Sequence, residues 1–320
     1  MRDEGPGRRL FSLGLLPTFG HSAAMSLFSW SAAAFAAVDR GELLAWDPKI
    51  NAPTWRRPLE GQVLALAAGG TMLATLHAGG NVAFWRGGDG APLGQASMPG
   101  GTQLAMAWGS GCAVAAPARI HVLDAQGPRV VAIAGATALR FSRDDRQLAA
   151  GFPDGRVAIL DVASGAVVRS AQLASEGAAV TALFERAPGA EWLVTAGSAL
   201  HAVDPQSAVR RVTGLGGTLL KAVAASERGT LVALQVGDKL AVVIAWPSRD
   251  TAANLEYPER TITGLALGDG ALWVGLDRGD GNKYDLTTGG LLRTDPHPGR
   301  SLERWIVATG HHPEIARPAL

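Results

Sequence analysis

A unit of about forty residues recurs along this 320-residue chain, and no other feature restricts its fold so severely. The clearest copy, ATALRFSRDDRQLAAGFPDGRVAILDVASGAVVRSAQL from Ala136 to Leu173, reads as four short strands. Ala138 to Phe141 alternates, Gln147 to Gly151 is apolar, Arg156 to Asp161 alternates again, and Ala166 to Ser170 follows a Ser164-Gly165 turn. Asp154-Gly155 marks a tight hairpin, because such turns need the positive φ that glycine supplies without steric cost. The ends of successive third strands align at Asp47, Arg86, Asp124, Asp161, Asp204, Pro247 and Asp285. These are separated by 39, 38, 37, 43, 43 and 38 residues.

Seven units of four strands predict an all-β chain, a seven-bladed β-propeller of four-stranded antiparallel blades. A blade that is apolar on both faces must stack on neighbours, which is why the unit repeats. Gly and Pro recur too often for a helical solenoid, and no 3.6-residue apolar stripe is sustained. The expected organisation is an N-terminal tail with a ring-closing strand over 1–20, the propeller over 21–300 and a C-terminal extension over 301–320. Arg9 to Leu16 and Leu302 to Thr309 compete to close the ring, and the N-terminal segment is preferred, completing the last blade.

The first unit contains GHSAAMSLFSWS, from Gly20 to Ser31, and closes with AWD, from Ala45 to Asp47. Units running from Gly-His to Trp-Asp resemble WD40 repeats, over roughly Gly20 to Thr294. The resemblance implies a hydrogen-bonded structural set of a His, a turn Asp, a strand Ser or Thr, and the Trp. By position His21, Asp39 and Trp46 supply three members, while the second strand, Ala32 to Val38, has no Ser or Thr. The fourth unit keeps Asp154 and Asp161 but has Ala136 and Leu160 where the His and Trp would stand. VDPQSAVRRV and YDLTTGGLLRT resemble equally the repeats of quinone-enzyme-type propellers, so both groups stay open.

Composition excludes several classes of function. With 47% hydrophobic residues the chain is not a disordered one, and a single Cys rules out a disulfide scaffold. The formal net charge of +1 lacks the basic excess of a phosphate-neutralising nucleic-acid binder. No apolar run approaches the ~20 residues of a membrane-spanning helix. Arg8-Arg9-Leu10-Phe11 matches the core of a twin-arginine export signal. The apolar stretch after it is short and broken by Pro17, so a cytoplasmic location is expected, with the periplasm as the alternative. A preference for Arg over Lys and the Ala-rich strands suggest a GC-rich bacterial genome.

No catalytic or metal-binding constellation emerges. The seven His show neither H-x-H nor H-E-x-x-H, and Cys112 has no second Cys, so no metal and no cofactor is expected. His121 and His201 each sit three residues before a strand-ending Asp, a register that favours packing between blades. Ser110, in WGSGC, lacks the G-x-S-x-G frame of a nucleophile elbow. Asp277 to Asn282 fails calcium-loop spacing, because Gly279 and Gly281 stand where ligands would be needed. Trp46, Trp85 and Trp246 share one strand position and read as packing residues, whereas Trp55, beside Arg56-Arg57, reads as exposed.

Without catalytic groups, the working surface of a propeller is a loop-bearing end of its disk. The turns between second and third strands carry Arg40, His77, Arg119, Asp154, Lys239 and Arg278, a ring of mixed charge suited to a protein partner. The function expected is a monomeric, non-catalytic interaction scaffold. The alternative is a propeller enzyme or small-molecule sensor, quinone-type or lactonase-like, with its site in the central channel.

Overall fold

The computed structural model describes residues 9–10, 35–39, 41–46, 53–69, 71–107, 109, 111–124, 127–173, 178–187, 189–214, 220–225, 230–268, 271–276, 281–286, 291–295 and 310–311. Among these residues all regular structure is β. Seven antiparallel sheets follow one another in chain order. In the first, three strands are described: Phe35–Asp39, Glu42–Trp46 and Pro53–Pro58. The other six have four strands each and begin with Val63–Gly69, Gln103–Met106, Ala138–Phe141, Val180–Glu185, Leu220–Ala225 and Ile262–Gly268. Each of these seven sheets pairs its described strands in sequence order, as consecutive hairpins. The third strands fall where the repeat puts them, for example Arg119–Asp124, Arg156–Asp161 and Gly281–Asp285.

Apolar side chains cover both faces of each sheet, so the core is a series of interfaces between neighbours. Leu76, Met98, Leu104 and Val114 join the second sheet to the third. Ile120, Phe141, Leu148 and Leu160 join the third to the fourth. Ile159, Val180, Trp192 and Val203 join the fourth to the fifth, and Phe184, Leu200, Leu234 and Ile244 join the fifth to the sixth. Leu44 of the first sheet lies in one cluster with Val243, Tyr257, Leu272 and Val274 of the sixth and seventh sheets and their connection. Side-chain packing therefore carries the succession from the last sheet back to the first.

Two hydrogen-bonded devices repeat. After the outer strand of a sheet, an amide donates to the carbonyl of that sheet's turn between second and third strands. The pairs are Leu59 to Gly41, Met98 to Gly80, Gly135 to Pro117, Leu173 to Gly155 and Tyr257 to Lys239, at 2.6–3.1 Å. Gly80 shows how close this approach is: at φ +86° a Cβ there would stand 2.1 Å from the Met98 oxygen. The second device is an outer-strand arginine reaching the next sheet. Arg57 donates from Nε to the Gly90 carbonyl (2.9 Å) and from Nη2 to that of Asp89 (2.7 Å). Arg129 reaches the Ala163 carbonyl and Arg169 that of Asp204.

Of the segment 1–20 expected to close the ring, all but Arg9–Leu10 lies outside the described residues, and the four described strands of the seventh sheet come from residues 262–295. Leu291–Asp295 already occupies its outer position, and Arg9–Leu10 pairs with Gly310–His311. Trp55 is not exposed. It is 8% accessible, its Nε1 donates to the Gly87 carbonyl of the second sheet at 2.9 Å, and its ring lies where a Cβ on Gly90 would sit.

Candidate functional site

The turns between second and third strands share one end of the sheets, because each sheet repeats the same strand order. Arg119, Asp154 and Lys239 are exposed there. Asp154 orders its own turn by accepting the Arg156 amide at 3.0 Å, and its carbonyl accepts from Gln172 Nε2 at 2.8 Å. Lys239 Nζ donates to the Pro258 carbonyl. The five amide tethers hold these turns from beneath, so the exposed side chains stand on a fixed backbone. Arg40, Arg278 and His21 lie outside the described residues.

His77 differs from the other members of the ring. It is buried, its Nε2 lies 2.9 Å from Thr75 Oγ1 and its Nδ1 lies 2.8 Å from the Glu60 carbonyl. Trp85 Nε1 donates to the same Thr75 hydroxyl at 3.0 Å. Trp, Thr and His of the second sheet thus form a linked set that supports the sheet from inside. Asp39 and Trp46 close the first sheet's central hairpin, in register with Glu42 and Phe35. Asp161 caps a turn: its Oδ1 accepts from the Ser164 amide (2.8 Å) and hydroxyl (2.7 Å). Those bonds, led by the hydroxyl, hold its carboxyl below the usual range. Asp204 caps the equivalent turn through the Gln206 and Ala208 amides, both at 2.8 Å.

The two histidines singled out by register stand in the third and fifth sheets, with the whole fourth sheet between them. Burial lowers the basicity of both, and the charges of Arg119 and Arg211 add to that effect at His121 and His201 respectively. His201 is 1% exposed and neither ring nitrogen has a hydrogen-bond partner, an environment suited to a neutral packing residue. Among the described residues no three His, Cys, Asp or Glu gather as metal ligands, and no helix is long and apolar enough to cross a membrane.

A cluster at the opposite end was not legible in the sequence. Arg140 lies on the inner strand of the fourth sheet, Arg143 in the turn after it, and Phe184 and Glu185 at the end of the fifth sheet's inner strand. The Arg140 and Arg143 guanidinium carbons lie 4.8 and 5.6 Å from the Phe184 ring centre. Burial, assisted by the like charge of Arg143, brings Arg140 down to about 9. Glu185 is 5% exposed. Nothing in residue spacing pairs residues more than forty positions apart; only the stacking of two units does.

No family model and no curated protein sequence matches the chain. Solved structures do. The β-propeller domain of Cps50 (Swd1) from Myceliophteria thermophila is similar with a TM-score of 0.66 and 16% identity, over 82% of this chain and 96% of that one. The fold is a β-propeller. The computationally designed protein Ika8 is similar too, with a TM-score of 0.68 and 21% identity, over 92% of this chain and 93% of its own. At these identities the likeness concerns architecture. The antiparallel sheets described above correspond to blades of such a propeller.

Proposed function

We propose that this propeller is a non-catalytic interaction scaffold, presenting the turns between second and third strands to a protein partner. The observation that carries the reading is the tethering of those turns by the amides of Leu59, Met98, Gly135, Leu173 and Tyr257 beneath exposed Arg119, Asp154 and Lys239. A fixed backbone bearing charges of both signs loses little backbone entropy on docking and selects a partner of complementary charge pattern. On the same reading the protein works as a cytoplasmic monomer without metal or organic cofactor. The test is affinity purification from the native host with the wild type and with R119E/D154K/K239E. A stoichiometric partner held by the wild type and lost from the variant supports the reading, while a partner retained by the variant overturns this choice of face.

The second reading is a small-molecule site in the central channel. What favours it is the buried pair Arg140 and Arg143, on and just beyond an inner strand of the fourth blade. A thermal-shift screen with metal ions, a quinone cofactor and lactones distinguishes the two: a specific shift that R140M removes favours the channel.

A further inference from the structure

Glu185 joins two blades through its side chain. Its Oε2 accepts the Arg143 amide at 2.5 Å, from the turn between the first two strands of the fourth blade. Its Oε1 accepts the Gly189 amide at 2.9 Å, from the corresponding turn of its own blade. Arg143 Nε adds a bond to the Glu185 main-chain carbonyl at 3.2 Å. One blade earlier Asp145 makes the same kind of link, its Oδ2 accepting the Gly109 amide of the third blade at 2.8 Å. The turns of three successive blades are thus bound by carboxylates that accept from main-chain amides.

The geometry points to Glu185 as a proton-operated latch: ionised, it ties the turns of the fourth and fifth blades together, and protonated, it holds one and releases the other. An ionised carboxylate is acceptor-only at both oxygens, whereas the protonated group has a hydroxyl that must itself find an acceptor. At a 5% exposed site, one of the two amides then loses its partner. The charged side chains acting on Glu185 stand on the fourth blade's turn: Arg143 favours the ionised form and Asp144 the protonated form. Its own blade contributes the Gly189 amide.

Burial outweighs the two amide bonds and raises this carboxyl above the ordinary glutamate range, so the latch opens at a milder acidity than an exposed glutamate would need. The folded protein takes up this proton before the unfolded chain does. Global stability from this group therefore increases as pH falls through the window, while the local link loosens. Those opposite signs separate the latch from general acid unfolding.

The experiment follows the amide exchange protection of Arg143 and Gly189, and the Glu185 carboxyl carbon shift, in the full-length wild type from about pH 8 to about pH 4. The expected result is a loss of protection of about tenfold or more at one of the two amides, with the midpoint of the Glu185 carboxyl. Protection unchanged at both amides across that midpoint overturns the latch, as does loss at both only together with the rest of the protein. E185Q, whose side chain keeps a single acceptor oxygen, fixes the open state: one amide unprotected at every pH supports the latch, and both protected overturns it. If E185Q does not fold, the wild-type titration decides alone.

Discussion

The Tyr257 hydroxyl donates to the Tyr284 hydroxyl at 2.8 Å, and these are the chain's two tyrosines. Asn282 Nδ2 donates to both oxygens, at 3.5 and 3.3 Å. Burial first, and then the bond to Tyr284, raises the Tyr257 phenol well above its ordinary value. The unfolded chain therefore gives up this proton at a lower pH than the folded one, so stability falls as pH rises above the ordinary phenol value of 10.0. Y257F should flatten that alkaline loss and cost about 1 kcal/mol at neutral pH. Denaturation midpoints measured at neutral and alkaline pH check both effects.

Thr75, itself fully buried, serves two partners at once, the half-buried Trp85 indole and the buried His77 ring. T75V keeps the shape and leaves both without a hydroxyl, so a loss of about 2–4 kcal/mol in urea denaturation is expected. T75S should recover most of it, since the hydroxyl returns.

Gly80 and Gly61 both have positive φ, +86° and +72°, but only Gly80 faces an obstacle. G61A meets open space and should cost about 1 kcal/mol of backbone strain. G80A must in addition displace the carbonyl of Met98, the residue whose amide anchors the second blade's turn, and should cost about 3 kcal/mol or more. Parallel thermal melts of the two variants make the comparison.

Arg57 uses two nitrogens of one planar fork on two adjacent carbonyls. A lysine offers a point charge without that fork, so R57K should melt like R57A, each about 1 kcal/mol below the wild type. A lysine variant matching the wild type would mean that charge alone joins the first two blades.

Cys112 is wholly buried, and desolvation pushes its thiol up to about 12. Only the thiolate attacks an aromatic disulfide reagent. Labelling near pH 8 should be absent from the native protein and complete in denaturant, read from the released chromophore.

The repeat was legible because strand alternation and Asp-Gly turns act locally, between residues a few positions apart. Where the third strands end, and why Asp161 and Asp204 end them, follows from such short-range bonds. The Trp85–Thr75–His77 set escaped because its histidine sits two residues beyond the threonine on the same strand, away from the Gly-His position that the first unit suggests. Arg57, Arg129 and Arg169 read as a compositional bias, since the carbonyls they reach belong to the next unit. Arg143 and Glu185, likewise, are brought together only by blade stacking.

A linear array of repeats unravels from its ends, where the terminal unit has a neighbour on one side only. Leu44 removes that weak point by sharing a core with Leu272 and Val274. With no outermost unit to peel away, melting should begin wherever an interface is thinnest, and loss of one blade should bring down two interfaces at once. The order of disassembly is then set by side-chain packing, and position along the chain has no part in it.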